Sequence, residues 1–128
     1  MNYLIDTHIF RWFIEDNKKL SNYVTDEISN LGNNIFLSKA SLWETIIKTS
    51  IGKLELGKSI DEIEKVIAAY NFILLDINFS HLRKLFSLSH FHRDPFDRMI
   101  IAQAITDDLT VISDDPLFRA YPVKLMNY

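Results

Sequence analysis

The chain alternates short apolar runs with longer segments of helical periodicity, and this alternation constrains its fold more than any other feature. The apolar runs are β-prone and bounded by turn residues, as strands are. Five are predicted to be strands: Asn2–Asp6, Ile35–Leu37, Phe72–Ile77, Leu109–Ser113 and a last one around Val123–Met126. Because strands that alternate with helices pair in parallel, the pattern predicts an α/β fold, a three-layer α/β/α sandwich with a mainly parallel sheet.

Helices are predicted between the strands, and capping residues or breakers mark many of their ends. The predicted segments run after the first strand through Ile14, from a cap at Ser21, from Ser38 to a break at Gly52, from a cap at Ser59 to about Tyr70, from Asn78 to Leu88, and from Asp94 towards the fourth strand.

Length and composition favour a compact globular chain. Its 128 residues, 48% of them hydrophobic and only 3 of them glycine, predict a single domain over positions 1–128. The absence of cysteine excludes disulfides and thiolate metal sites. The start, MNYLIDTHIF, lacks the features of a signal peptide, and no apolar run approaches the ~18 residues of a membrane span. We therefore expect a cytoplasmic protein with no membrane partner.

The net charge is −3, which argues against a surface built wholly for nucleic acid. A local basic rim around an acidic, cation-binding site remains compatible with it.

Two acidic residues are expected at one edge of the sheet. Asp6 closes the first predicted strand, and Asp115 or its neighbour Asp114 closes the fourth. In parallel α/β sheets, sites form outside the carboxyl ends of the strands. Each of these residues also precedes a helix start, where Asp is a preferred N-cap, so capping alone could explain either one.

A third candidate carboxylate lies in the stretch HRDPFDRMIIAQA, which places Asp94 and Asp97 at a helix start. Asp94, followed by a proline, is readily explained as an N-cap. Asp97 shares a helix face with Ile100, Ile101 and Ala104, and an unpaired carboxylate on such an apolar stripe would be costly.

Glu44 is similar, since it lies on the inner side of the predicted helix after the second strand, although it could instead pair with Lys48 on the surface.

Oxygen donors without cysteine suit Mg²⁺ or Mn²⁺, which also take phosphate oxygens as ligands and can activate a water for attack on a phosphodiester. The competing interpretation is a zinc site built on His90-x-His92. Two loop histidines without a partner cluster are more often exposed side chains, and we interpret them so.

With these residues assembled, the chain resembles the PIN domain, and specifically the VapC-type toxin ribonucleases of bacterial toxin–antitoxin pairs. The resemblance covers nearly the whole chain through LIDTHIFRWF, LSKASLWETIIKTSIGKLEL, HRDPFDRMIIAQA and TVISDDPLFRAYPVKLM. The DTH, SLWE and DPFDR-x-x-IAQA elements are specific in this order and spacing.

The resemblance implies roles for individual residues. It makes four carboxylates catalytic, three of which would bind the metal, and it adds supporting residues around them. The catalytic set is Asp6, Glu44, Asp97 and Asp115; the metal ligands are Asp6, Asp97 and Asp115; the supporting residues are Thr7, Asp94 and Ser113.

The implied activity is that of a Mg²⁺- or Mn²⁺-dependent endoribonuclease, held in check by a cognate antitoxin and assembled as a homodimer. Lys39, Arg93 and Arg98 are candidate contacts to RNA phosphates, with solvated surface charge as the alternative. One short predicted helix contains three aromatic residues, Phe10, Trp12 and Phe13. They are either core residues or part of a groove that binds an antitoxin helix.

Two other functions compete with this one. The first is a non-catalytic protein-interaction module of the same fold, whose acidic site is idle; the complete set of four acids argues against it. The second is a small phosphatase, which would need a nucleophilic Asp with a nearby Lys. Thr7 and His8, the residues that follow Asp6, offer no such pairing.

Overall fold

The computed structural model describes residues 1–53 and 55–126 and contains a parallel five-stranded sheet. The strands are β1 (Asn2–Ile5), β2 (Asn34–Ser38), β3 (Ile73–Leu75), β4 (Thr110–Ile112) and β5 (Lys124–Leu125). Their order across the sheet is β3-β2-β1-β4-β5, and every neighbouring pair is parallel. The predicted fold class is therefore confirmed, and the sheet is parallel throughout its described strands.

In the described part of the chain, six α-helices connect the strands. They are α1 (Thr7–Ile14), α2 (Asn22–Ser29), α3 (Lys39–Ser50), α4 (Ile60–Ala69), α5 (Phe79–Ser87) and α6 (Pro95–Asp107). A 3₁₀ helix, Pro116–Ala120, follows β4. Ser21 and Ser59 are N-caps as predicted, each accepting a backbone N–H from the first turn of its helix. Asn78, predicted as the first helical residue, is the N-cap of α5. No helix of residues 1–53 and 55–126 is long and apolar enough to cross a membrane.

The core forms on both faces of the sheet because successive side chains of a strand point to opposite faces. On β1, Tyr3 and Ile5 join the core beneath α1, α2 and α4. Leu4, between them, joins the second core beneath α5 and α6. These two cores separate the three layers of the fold.

Several strands are shorter than the apolar runs that predicted them. Phe72 and Leu109 are buried in the core just outside β3 and β4, so both are apolar for packing rather than for strand pairing. An apolar run indicates which side chains are buried, but it does not indicate where the backbone pairing of the strand ends.

Candidate active site

Asp6 and Ser113 come together because β1 and β4 are neighbours in the sheet. Ile5 is paired with Ile112, so the residues that follow them lie side by side at the carboxyl edge. The Asp6 amide donates to the Ile112 carbonyl at 3.1 Å, and the Ser113 hydroxyl donates to Asp6 Oδ2 at 2.5 Å. Asp6 Oδ1 accepts the Ile9 amide at 2.8 Å and caps α1. One carboxylate therefore caps a helix and also faces the sheet edge.

Asp115 is arranged in the same way. Its Oδ1 caps the 3₁₀ helix by accepting the Leu117 amide at 2.9 Å, while its Oδ2 lies 2.9 Å from His92 Nε2. Capping and membership of a site are therefore compatible for Asp6 and Asp115. In each carboxylate one oxygen caps a helix and the other faces the site.

Asp97 reaches this cluster from the first turn of α6. Asp94 caps the helix, with its Oδ1 accepting the amides of Phe96 at 2.8 Å and Asp97 at 3.3 Å. The Asp97 side chain is 7% exposed, and its Oδ2 lies 3.1 Å from His92 Nε2. Asp97 is therefore bridged to Asp115 through a histidine.

The interpretation of the two loop histidines is wrong for His92 and fits His90. His90 is exposed, whereas His92 is buried against Asp97 and Asp115. The three side chains offer ligand atoms within 4.8 Å of one another. One sequence signal could have indicated this position of His92. The histidine lies two residues before Asp94, the N-cap of α6, and so belongs to the loop that positions Asp97.

Glu44 is buried on α3, with 3% of the residue exposed. Its Oε2 accepts from Lys48 Nζ at 2.7 Å, so the alternative pairing does occur, but with a buried carboxylate. Its Oε1 has no hydrogen-bond partner among the described residues. The hydroxyl of Thr7, the residue after Asp6, donates at 3.0 Å to the hydroxyl of Ser41, which lies on α3 with Glu44.

Burial and mutual repulsion raise the pKa of two carboxyls of the site. Burial raises the pKa of Asp6 to about 7, against the opposing hydrogen bonds from Ser113 and Ile9. Burial also raises the pKa of Asp97 to about 7, and the charges of Asp94, Asp6 and Glu44 add to the rise. Asp97 therefore lies within electrostatic reach of both Asp6 and Glu44.

This donor set fits a divalent cation. Carboxylates from several elements lie within electrostatic reach of one another, an oxygen of Glu44 is buried with no hydrogen-bond partner among the described residues, and two of the carboxyls are destabilised as anions. A cation would relieve both the missing contact and the repulsion. Hard oxygen donors of this kind suit Mg²⁺ or Mn²⁺.

The three proposed phosphate contacts lie in different environments. Lys39 is exposed and forms an ion pair with Asp76, and Arg93 is exposed in the loop before α6. Arg98 is buried, and its guanidinium donates to the carbonyls of Ser89 at 2.8 Å and of Leu85 and Leu88 at 3.4 Å. These hydrogen bonds hold the segment between α5 and α6. Because the guanidinium is buried and bonded there, Arg98 is not placed to contact an RNA phosphate as predicted.

The chain is a parallel α/β/α sandwich with buried acids at the carboxyl edge of its central strands. It therefore falls in the class of α/β proteins whose site lies at that edge of the sheet. The family comparison is specific within that class: the sequence model of the PIN domain matches residues 3–124. The chain belongs to the PIN domain family, which confirms the family named from its motifs. PIN domains are nucleases, so membership supports hydrolysis of nucleic acid as the general activity.

Solved structures with the same fold include three toxin–antitoxin complexes. VapBC2 from Rickettsia felis, bound to a DNA fragment from its promoter, has a TM-score of 0.73 at 19% identity, covering 99% of this chain and 98% of that one. VapBC-1 from nontypeable Haemophilus influenzae has a TM-score of 0.74 at 17% identity, with coverage of 99% and 98%. DNA-bound VapBC from Salmonella typhimurium has a TM-score of 0.70 at 16% identity, with coverage of 98% and 97%.

At these identities the likeness concerns the fold. No curated protein sequence matches the chain.

Proposed function

We propose that this chain is a Mg²⁺- or Mn²⁺-dependent endoribonuclease and the toxin of a toxin–antitoxin pair, acting as a single domain in the cytoplasm. The observation that carries the proposal is the convergence of carboxylates from four separate parts of the chain, of which Asp6, Glu44 and Asp97 are buried and Asp115 is partly exposed. Capping accounts for one oxygen each of Asp6 and Asp115, and leaves the other oxygens facing the site. It does not account for Asp97, or for the Glu44 oxygen that has no hydrogen-bond partner within residues 1–53 and 55–126.

The residues would divide the work as follows. Asp6, Asp97 and Asp115 would hold the cation, and Ser113 fixes the side chain of Asp6 through its hydroxyl. A cation bound there supplies a Lewis acid and an activated water for hydrolysis of a phosphodiester. Glu44 would complete the catalytic set, with its buried Oε1 available to accept a hydrogen bond or a metal contact.

RNA would approach from the exposed side of this edge. Arg93 lies one residue from His92 and is exposed, so it is placed to meet a phosphate beside the site. Lys39, at the start of α3, would meet the backbone further along, in exchange for its surface ion pair with Asp76. Arg98 is not included, since its donors are used inside the protein.

The proposed protein partners are a cognate antitoxin and a second copy of the chain. The complexes with the same fold contain toxin and antitoxin together. A cleft offers a mixed apolar and polar surface for an antitoxin segment; it is lined by Trp12, Phe13, Leu20 and Tyr70 together with Asp16, Asn17, Thr25 and Ser29. Phe10 takes no part in that surface, because it is fully buried in the core.

The test is cleavage of total cellular RNA by the purified, antitoxin-free protein with Mg²⁺, with Mn²⁺ and with a chelator. Asp97→Asn is the informative variant, and Asp26→Asn is its control, because Asp26 is an exposed aspartate on α2. Metal-dependent cleavage that Asp97→Asn loses and Asp26→Asn keeps would support the proposal. A folded wild-type protein that cleaves no RNA under any condition would favour the interaction module instead.

A further inference from the structure

The buried histidine of the site, His92, is held at its backbone amide and at both ring nitrogens. Its backbone amide donates to the Tyr121 hydroxyl at 2.9 Å, and its Nδ1 accepts the Asp94 amide at 3.1 Å. Its Nε2 lies between Asp97 Oδ2 at 3.1 Å and Asp115 Oδ2 at 2.9 Å. The ring edge packs against Phe118. A side chain held this closely has one orientation.

These contacts also assign the tautomer of the His92 ring. Since Nδ1 accepts an N–H, the proton of the neutral imidazole is on Nε2, and Nε2–H donates to the two carboxylates. A ring nitrogen that carries a proton has no lone pair to offer a cation. In this tautomer Nε2 of His92 offers no lone pair to a cation, although His92 is grouped with Asp97 and Asp115 in space.

We infer that His92 is a positioning residue that aims the Oδ2 atoms of Asp97 and Asp115 at a shared cation. The inference rests on the proposed function of the site. Asp97 belongs to α6, whereas Asp115 lies in the turn after β4, and no backbone pairing fixes one relative to the other. The N–H between them brings both oxygens within 3.1 Å of a single nitrogen and offsets the repulsion of the two anions.

A second layer of contacts holds His92 in turn. The Tyr121 hydroxyl, which accepts the His92 amide, donates to the Ser89 carbonyl at 2.7 Å. Arg98 donates to that same carbonyl at 2.8 Å. The loop that carries His92 is therefore tied both to α6 and to the segment before β5. Hydrogen-bond donors behind metal-binding groups commonly change metal affinity or activity by about 10–100-fold when removed.

The test measures binding of Mn²⁺ alone, from the decrease of the free-ion EPR signal, so that it does not depend on a known RNA substrate. His92→Ala should weaken the Mn²⁺ affinity by about 10–100-fold. His92→Gln should restore most of that loss, because the glutamine amide can replace the Nε2–H donor. His90→Ala, which removes an exposed histidine two residues away, should leave the affinity unchanged. Circular dichroism should give the same fold for all four proteins.

Pulsed EPR of Mn²⁺ bound to the wild-type protein provides a second measurement that needs no variant. We expect no nitrogen directly bound to the ion, and a strong coupling to a histidine nitrogen would overturn the inference by making His92 a ligand. Unchanged Mn²⁺ affinity in a folded His92→Ala would overturn it too, while a simultaneous loss in Asp97→Asn would leave the proposed metal site standing. If the wild-type protein bound no Mn²⁺, the proposed function itself would fail.

Discussion

Replacing Asp97 by asparagine should stabilise the metal-free protein while it abolishes metal binding. The Asp97 carboxyl is buried beside three other acids, and its pKa is raised from 3.8 to about 7. A group whose pKa is higher in the folded state binds more protons there than in the unfolded chain. Its ionisation therefore costs folding stability as the pH rises from about 4 to 7, and the full cost remains above that range.

The rise in the pKa of Asp97 corresponds to roughly 4 kcal/mol at pH 8, as an upper value. Removing this charge also eases the ionisation of Asp6, because the charges of Asp6 and Asp97 repel each other. Asparagine keeps an oxygen that can accept from His92. We expect Asp97→Asn to be more stable than the wild-type protein by about 2–4 kcal/mol at pH 8. The difference should vanish near pH 4.

Urea unfolding in EDTA at a series of pH values measures this difference. Addition of Mg²⁺ or Mn²⁺ at pH 8 should then stabilise the wild-type protein but not Asp97→Asn, by about 2.7 kcal/mol at one hundred times the dissociation constant. Asp26→Asn is the control for an exposed aspartate and should follow the wild-type curve. A variant that is less stable than the wild type at pH 8, or a difference that does not change with pH, would refute the electrostatic reasoning.

Three further predictions concern stability and RNA binding. Arg98→Ala should lower the free energy of unfolding by about 2–4 kcal/mol, because it removes a buried guanidinium and its hydrogen bonds to the carbonyls of Ser89, Leu85 and Leu88. Arg93→Ala should change it by less than about 0.5 kcal/mol, and denaturant unfolding measures both. Arg93→Glu should weaken binding of RNA to the catalytically silent Asp97→Asn protein and reduce its salt dependence, as measured by fluorescence anisotropy. Asp108→Gly should stabilise by about 1 kcal/mol, because Asp108 ends α6 at a φ of 56°; a lower melting temperature would contradict this.

The sequence predicted the elements of the fold well because their signals are local. Apolar runs, capping serines and the break at Gly52 each act within a few residues, and the strand order places Asp6 and Ser113 together once the sheet is parallel. The burial of Asp97 also follows from a local pattern, the stripe it shares with Ile100 and Ala104.

His92 and Arg98 were misjudged because their partners are distant in the sequence. Helix α6 is buried from Asp97 to Ala104, so an arginine there has no solvent face and must find acceptors inside. Two of its acceptors, Leu88 and Ser89, lie in the irregular segment after α5. Two partners of His92, Asp115 and Tyr121, also lie outside the α-helices and strands, where no periodicity shows which side chains point inward. Tyr121, which connects the two, is 29 residues from His92.

The central place of β1 in the sheet also governs when the site can exist during synthesis. Asp6 is made first, but its hydroxyl partner Ser113 is separated from it by 107 positions, and Asp115 lies two residues further on. A chain still attached to the ribosome can pair β1 with β2, yet it has no β4 to bring these groups alongside. For a ribonuclease, this order of assembly would spare the messenger RNA from which the protein is being translated.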